Sequence, residues 1–600
     1  MAATESYHVI VVGAGWYGLA AAKSYLAAHP DHRVLVIEAE RTVGGTWSED
    51  RLYPGLKSNN LWGSYEYPDF PMSQEVYGVG YGQHIPAAVL HRYLTDFAKK
   101  FGVFERIQFQ TKVTAIEAVE ATGAWRVHTT SVKPGSQGET AVFDTEKLIV
   151  ASGLTSEPNL PRYNGQETFT SEFFHAKDFC RKADVVQTAK TAVVVGGGKS
   201  ALDCAYALAV EGGATVHLII RPKGDGPLWL APAFVTPLKR MMEELLATRL
   251  LTWFSPTIFG GEDGYGGIRN FLHGTRLGNW LVKGFWGVLK ADVLGAHGYA
   301  KHVEVGKLTP WQSPMWTGSG VGIHNYDSNF FDLVREGKVL IHVADIERLS
   351  GKSVYISTRG PKEPIEDVDV VICATGWKKD AAVAIRNFDV GLAAQDAERE
   401  KLIAEADAAV LREFPMLKDQ PKLTYSRNSA PAEPTPNNNN TNTNTKGAGA
   451  KSEPLRNYRY IVPTQGFFGR SFAYAGMVST VTTSIFASVQ ALWITAYFDG
   501  KLSRCPATED EVVREVLLHT QWNKWRYPCG YGSSLPDFAF DSIPYVDLLV
   551  RDLGLDNHRG KSTVADVFKP YKPKDYAGLD QEWLASQQGR KAQAQVNGKV

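Results

Sequence analysis

The first apolar run, Val9-Ile10-Val11-Val12, has the length and β-branching of a strand buried on both faces. It leads into Gly13-x-Gly15-x-x-Gly18 and an alanine-rich helical stretch at 19–26. A second run, Arg33-Val34-Leu35-Val36-Ile37, stops at Glu38. This pattern predicts a strand, a tight turn, a helix and a parallel strand. It recurs downstream, with Ala192-Val193-Val194-Val195, the turn Gly196-Gly197-Gly198-Lys199-Ser200-Ala201, a helix at 202–210 and a strand at 216–220. Two more apolar runs, 147–150 and 367–373, end at Ala151-Ser152-Gly153 and Ala374-Thr375-Gly376-Trp377, and read as buried return strands.

The glycine spacing carries chemistry. Gly13 allows the turn, Gly15 lets backbone approach a pyrophosphate, and Gly18 lets helix and strand pack closely, while the helix amides and dipole face the anion. Glu38, about twenty residues on, is placed to accept ribose hydroxyls. A site of this kind at the N-terminus, followed by a second, points to FAD in the first. In the second, Gly196, Gly198, Lys199 and Ser200 form the phosphate turn. The following strand ends at Arg221, with Lys223 beyond. An arginine suits the 2′-phosphate of NADPH where an acid would suit the ribose of NAD.

Elsewhere the patterns predict scaffold. A helix is expected at 93–98, and strands of a small sheet at 107–113 and 125–128. The stretch 471–498 carries no charge and is long enough to span a bilayer, but its serines, threonines and Gln490 favour a buried strand and a core helix. From 224 to 307 the chain turns helical and aromatic, which ranks a substrate-pocket insertion first, a dimer contact second and a patch on a membrane surface third. The stretch 427–454, with Asn437-Asn438-Asn439-Asn440 and repeated Thr-Asn, is too polar to order itself.

Composition narrows the class. Sixty-four basic residues balance sixty-four acidic ones among 600, so no basic surface argues for nucleic acid and small-molecule chemistry is expected. Five scattered cysteines, never in a C-x-x-C pair, suggest neither a disulfide framework, a redox dithiol nor a metal site. With no leader pattern at the N-terminus, a cytoplasmic location is expected.

Five motifs carry a resemblance. Gly44-Gly45-Thr46-Trp47 is similar to the GG-x-W segment that lies against the flavin in the flavin-containing monooxygenases and the related Baeyer–Villiger monooxygenases. In the first group an Asn ten residues before a DFP triplet lies beside the flavin's reactive edge; here it is Asn59, before Asp69-Phe70-Pro71. In the second group an Asp follows a YPG triplet by four residues; after Tyr53-Pro54-Gly55 that position is again Asn59. Phe169-x-Ser171-x-x-x-His175-x-x-x-Phe179 resembles the fingerprint between the two cofactor domains, with Ser171 and Phe179 departing from it, and Thr375-Gly376 falls in the ATG-like return.

The resemblance implies an α/β fold of two Rossmann-like domains, the NADPH domain nested within the FAD domain and carrying a helical insertion. The expected boundaries are 1–165 for the first FAD part, 166–365 for the NADPH domain with its insertion at about 224–307, and 366–426 for the return. The low-complexity insertion (427–454) and a last FAD part with its C-terminal cover (455–600) follow. It implies Asn59 and His175 as catalytic residues. Gly13, Gly15, Gly18, Glu38, Gly45, Thr46, Trp47 and Asn59 would hold FAD; Gly196, Gly198, Lys199, Ser200, Arg221, Thr375 and Gly376 would hold NADPH. The implied reaction is insertion of one atom of O2 into a hydrophobic small molecule through a flavin C4a-hydroperoxide. The neutral Asn59 favours hydroxylation, N- or S-oxygenation or epoxidation. Ketone-to-ester insertion is the alternative, and a flavin reductase or NADPH oxidase ranks below it.

Overall fold

The computed structural model describes residues 5–235, 239–358, 363–378, 383–392, 396–421 and 454–597. The predicted low-complexity stretch therefore lies, but for Pro454, outside the described residues. Its core is a pair of sheets. Glu5–Val12 runs parallel to Val34–Ile37 on one side and to Thr140–Val150 on the other. Every residue of Val9–Val12 is buried, as a strand covered on both faces requires. The helix Trp16–Ala28 crosses back over this sheet and packs against Thr483–Phe498.

Thr140–Val150 splits its other edge. Its first half pairs antiparallel with Ala124–Ser131, and Leu148–Val150 pair in parallel with Phe472–Tyr474. The strands expected to form a separate small sheet therefore extend the main one. The single strand expected over 107–113 is two: Ile107–Gln108 pairs with Val34–Ile37, and Thr111–Val119 pairs with Ala124–Ser131. The break falls at Gln110, whose φ of 54° no extended strand holds.

The second sheet is wholly parallel. Thr191–Val195 lies between Thr215–Ile220 and Val370–Cys373, with Val339–Val343 and Glu172–His175 at the edges. All its strands fall between 172 and 373 in a chain whose first sheet runs from 5 to 474, so one dinucleotide fold is nested within the other.

The uncharged stretch 471–498 forms the strand Phe472–Tyr474 and the helix Thr483–Phe498, whose Gln490 holds Gly476 N–H and Tyr545 OH inside the core. Among the described residues no helix is long and apolar enough to cross a membrane. The segment after residue 224 opens with three short strands, Trp229–Ala231, Phe234–Val235 and Arg240–Met241, before its helices begin at Met242. These helices are fastened to the C-terminal lobe by buried charge. Arg249 is fully buried and donates to Asp547, Asp566 (2.8 Å) and the Asn557 carbonyl (3.0 Å). Arg526, also fully buried, donates to Ser255 Oγ and the Met315 carbonyl. Unpairing one such charge costs about 3–5 kcal/mol.

Candidate active site

Two clefts open at the C-terminal ends of the two sheets, where ligands enter open α/β folds. The first, about 460 Å³, runs from Gly13, Gly15 and Glu38 past Gly45, Thr46 and Trp47 to Tyr65, Gly476 and Thr483. Steric detail separates its glycines. A Cβ on Gly13 would lie 2.5 Å from the Ala151 carbonyl oxygen, and one on Gly18 would lie 1.8 Å from that of Gly13. One on Gly15 would meet nothing nearer than Gly45 Cα at 3.6 Å. Gly13 and Gly18 are thus demanded by the fold, while Gly15 and Gly45 lie against each other in the cleft wall, where no side chain keeps a pyrophosphate from the backbone.

The helix that starts there has no side-chain cap and no acid in its first turn, so its first amides are left to the cleft. Glu38 is buried, its carboxylate accepting from the backbone N–H of Ala14 (2.6 Å) and of Glu40 (2.9 Å). Burial pushes its carboxyl above the usual carboxylate range. Each oxygen keeps a lone pair for a ribose hydroxyl. Deeper in, the buried Tyr17 hydroxyl has no partner among the described residues, and Trp47 Nε1–H is held by Tyr65 OH at 3.1 Å. Orphaned donor, open helix end and paired glycines together fit a dinucleotide flavin.

The second cleft, about 410 Å³, repeats the design. A Cβ on Gly196 would lie 2.4 Å from the Ala374 carbonyl, whereas one on Gly198 would meet nothing. The helix Lys199–Val210 starts uncapped, with no acid in its first turn. Ser200, Thr375 and Gly376 line the cleft, and Arg221 stands exposed at its rim with no carboxylate paired to it among the described residues.

Three expected residues are engaged by protein partners. Lys199 lines the second cleft, and its ammonium is held by Asp203, Asn325 Oδ1 (2.7 Å) and Tyr326 OH (3.1 Å), tying helix to loop. Asn59, on the strand Lys57–Leu61, lines neither cleft; its Oδ1 accepts from Ile323 N–H at 2.6 Å, behind the wall that Leu228 and Val321 present to the second cleft. His175 does line the second cleft, but both ring nitrogens are engaged. Nδ1 accepts from Lys177 N–H, so Nε2 donates to the Gly376 carbonyl at 2.9 Å. Burial lowers its pKa, which keeps the ring neutral. It thus pins the Gly376 turn, and the clefts meet beside it: Arg51 of the first sits over the Trp377 ring of the second at 5.4 Å.

Other residues carry no sequence signal. Cys529, Gly530 and Tyr531 come from the C-terminal lobe to line the second cleft. Their loop is anchored by buried Asp537, which accepts from Ser319 N–H (2.9 Å) and Oγ–H (2.9 Å). Glu243 lies in the first turn of the helix Met242–Leu246, next to Glu244. In the structure it is buried and accepts from Leu61 N–H (2.7 Å), Ser64 Oγ–H (2.8 Å) and Asn60 Nδ2–H. Asn60 also donates to the Val481 carbonyl (2.9 Å), beside the Val478–Thr483 loop of the first cleft. Burial pushes Glu243 from 4.5 up to about 7.

Comparisons with known proteins agree with this geometry. Residues 6–253 match the family model described as flavin-binding monooxygenase-like. An FAD-dependent monooxygenase of Aspergillus sclerotiorum is 32% identical over 615 residues, covering 99% of this chain and 100% of that protein. The chain belongs to the FAD-dependent, flavin-binding monooxygenase-like family. A second such enzyme, from Aspergillus nomiae, is 31% identical over 606 residues, covering 97% and 98% of the two chains. Among solved structures, the open form of cyclohexanone monooxygenase shares the fold of this flavin monooxygenase, with a TM-score of 0.57 at 16% identity, covering 92% of this chain and 99% of that one.

The glycine geometry predicts different defects. Gly15→Ala is expected to lose flavin on purification and to melt where the flavin-free wild type melts, whereas Gly18→Ala is expected to melt below it. Melting curves with the flavin-to-protein absorbance ratio decide it; equal melting of the two variants would sink the distinction.

Glu243 predicts a pH effect. Because its folded pKa lies above the ordinary one, the folded protein holds this proton more tightly. Its contribution is therefore fully present below about 4.5 and is lost as pH rises through 7, amounting to roughly 3 kcal/mol. Glu243→Gln removes this slope, so the stability of the variant relative to wild type should rise between about pH 4.5 and pH 7 and level off above. A difference in urea midpoints that stays flat over that range would refute the assignment.

Proposed function

We propose that this flavin monooxygenase takes its reducing equivalents from NADPH and transfers one atom of O2 to a hydrophobic small molecule by hydroxylation, N- or S-oxygenation or epoxidation. The observation that supports it best is the meeting of two dinucleotide clefts at Arg51, Trp377 and His175, with an exposed Arg221 at the rim of the second that no carboxylate pairs among the described residues. FAD, when bound and reduced, supplies the chemistry that activates oxygen. The chain's own residues bind, orient and exclude water. Glu38 and the amides after Gly15 hold the flavin nucleotide; Gly198, Ser200 and Arg221 hold the nicotinamide one. His175 is a positioning residue that fixes the Gly376 turn. Asn59 is likewise a positioning residue: its carbonyl joins the flavin-side strand to the Val321–Ile323 wall, and being neutral it leaves no buried charge there.

A disulfide reductase, the other class with this two-site layout, would need a pair of thiols beside the flavin, whereas the five cysteines form no C-x-x-C pair and none lines the first cleft. Two measurements test the proposal. Arg221→Ala should raise the KM for NADPH about tenfold and leave that for NADH nearly unchanged, since only NADPH loses a phosphate partner. With paired sulfide and ketone probes the enzyme should oxygenate the sulfide, and Asn59→Ala should uncouple NADPH use from product. Equal loss with both coenzymes removes the NADPH assignment, and conversion of ketones to esters with no sulfide product overturns the reaction type.

A further inference from the structure

The helix Arg276–His297 has two apolar faces. One is inward: Gly278, Val282 and Trp286 are buried, and Gly278 lies so close to the preceding helix, Gly266–Gly274, that a Cβ there would stand 2.1 Å from the Phe271 carbonyl. The other is outward. Leu277 is 60%, Trp280 68% and Val288 65% exposed, with Leu281 beside them and Ile268 and Phe271 exposed on the preceding helix. Positions 277, 280, 281 and 288 fall on one side of a helix, and the exposed Gly284 and Gly287 leave that side flat.

Charge borders this face along one line. Arg276, Lys283 and Lys290 are all exposed and stand seven residues apart, which sets them above one another two turns at a time. Lys283 meets Asp419 at 3.4 Å, but both side chains are mostly exposed, so the pair is weak. The helix carries a single acid, Asp292. We infer that this face is a docking surface for an anionic lipid bilayer, on which the helix lies in the plane with Trp280 and Leu277 in the headgroup boundary and the cations over lipid phosphates.

The charge pattern selects this partner over a second copy of the chain. An antiparallel two-fold pairing would place both cation rows on the same edge, where they repel, and the helix has no acidic row to receive them. An anionic surface meets the whole row at once, while Trp and Leu beside Lys and Arg are the composition of helices that lie on membranes. Membrane docking of this kind would bring the enzyme to substrates dissolved in lipid.

The test is co-sedimentation of the full-length, FAD-loaded enzyme with phosphatidylcholine vesicles with and without phosphatidylserine. The enzyme should bind the mixed vesicles, bind them less as salt is raised, and shift its tryptophan emission to the blue on binding. Leu277→Ser with Trp280→Ser should weaken binding at least about tenfold with flavin content and melting unchanged. Gln in place of Arg276, Lys283 and Lys290 should remove the preference for phosphatidylserine. Wild-type enzyme that stays in solution, or binding that the Ser variant leaves intact, overturns the inference. So does a dimeric mass by light scattering that the Ser variant reduces to a monomer, which would assign the face to a second copy.

Discussion

The architecture depends on a steric constraint used twice. At the end of the first strand of each dinucleotide fold, backbone passes so close to the returning strand that no Cβ fits. Gly13 sits against the Ala151 carbonyl and Gly196 against that of Ala374. That closeness brings an uncapped helix start and the ends of neighbouring strands to one point, where free amides gather. Everything else in the two clefts is arranged around these gatherings. Relaxing either one would move the helix off its sheet and scatter the amides, whatever side chains were left in place.

A second constraint holds the lobes together. The insertion after residue 224 and the chain beyond residue 500 share their core through Arg249, Arg526 and the carboxylates they meet. Buried ions of this kind contribute little net stability, because desolvation offsets their attraction, but they reject any packing that leaves one charge alone. The same logic fixes the wall of the second cleft through Asp537, which accepts from Ser319 and so brings Cys529–Tyr531 to the cleft. Glu243 does the corresponding work at the first cleft: like Asp537 it is held by neutral donors, and burial raises the carboxyl of both.

The aromatic segment divides according to side. Trp286 faces inward, donating to the Phe254 carbonyl at 3.0 Å, while Trp280, six residues earlier, faces out. Composition alone treats the two tryptophans alike. Only their angular separation on a helix whose inner face is already filled tells them apart.

What the sequence by itself determined is local and carried by backbone. Strand, turn and helix follow from β-branched runs broken by glycine, and the two glycine turns, Glu38 and Arg221 lie at the cleft ends where their spacing puts them, since a phosphate or ribose is met by residues within one βαβ unit. What only the tertiary structure decided is where side chains with free choice of partner go. Asn59 reaches Ile323, Lys199 reaches Asn325 and Asn60 reaches Glu243, each across more than a hundred residues of chain. No short-range pattern encodes such pairs, because the hydrogen bond that wins is set by which segments the packed core brings within 3 Å.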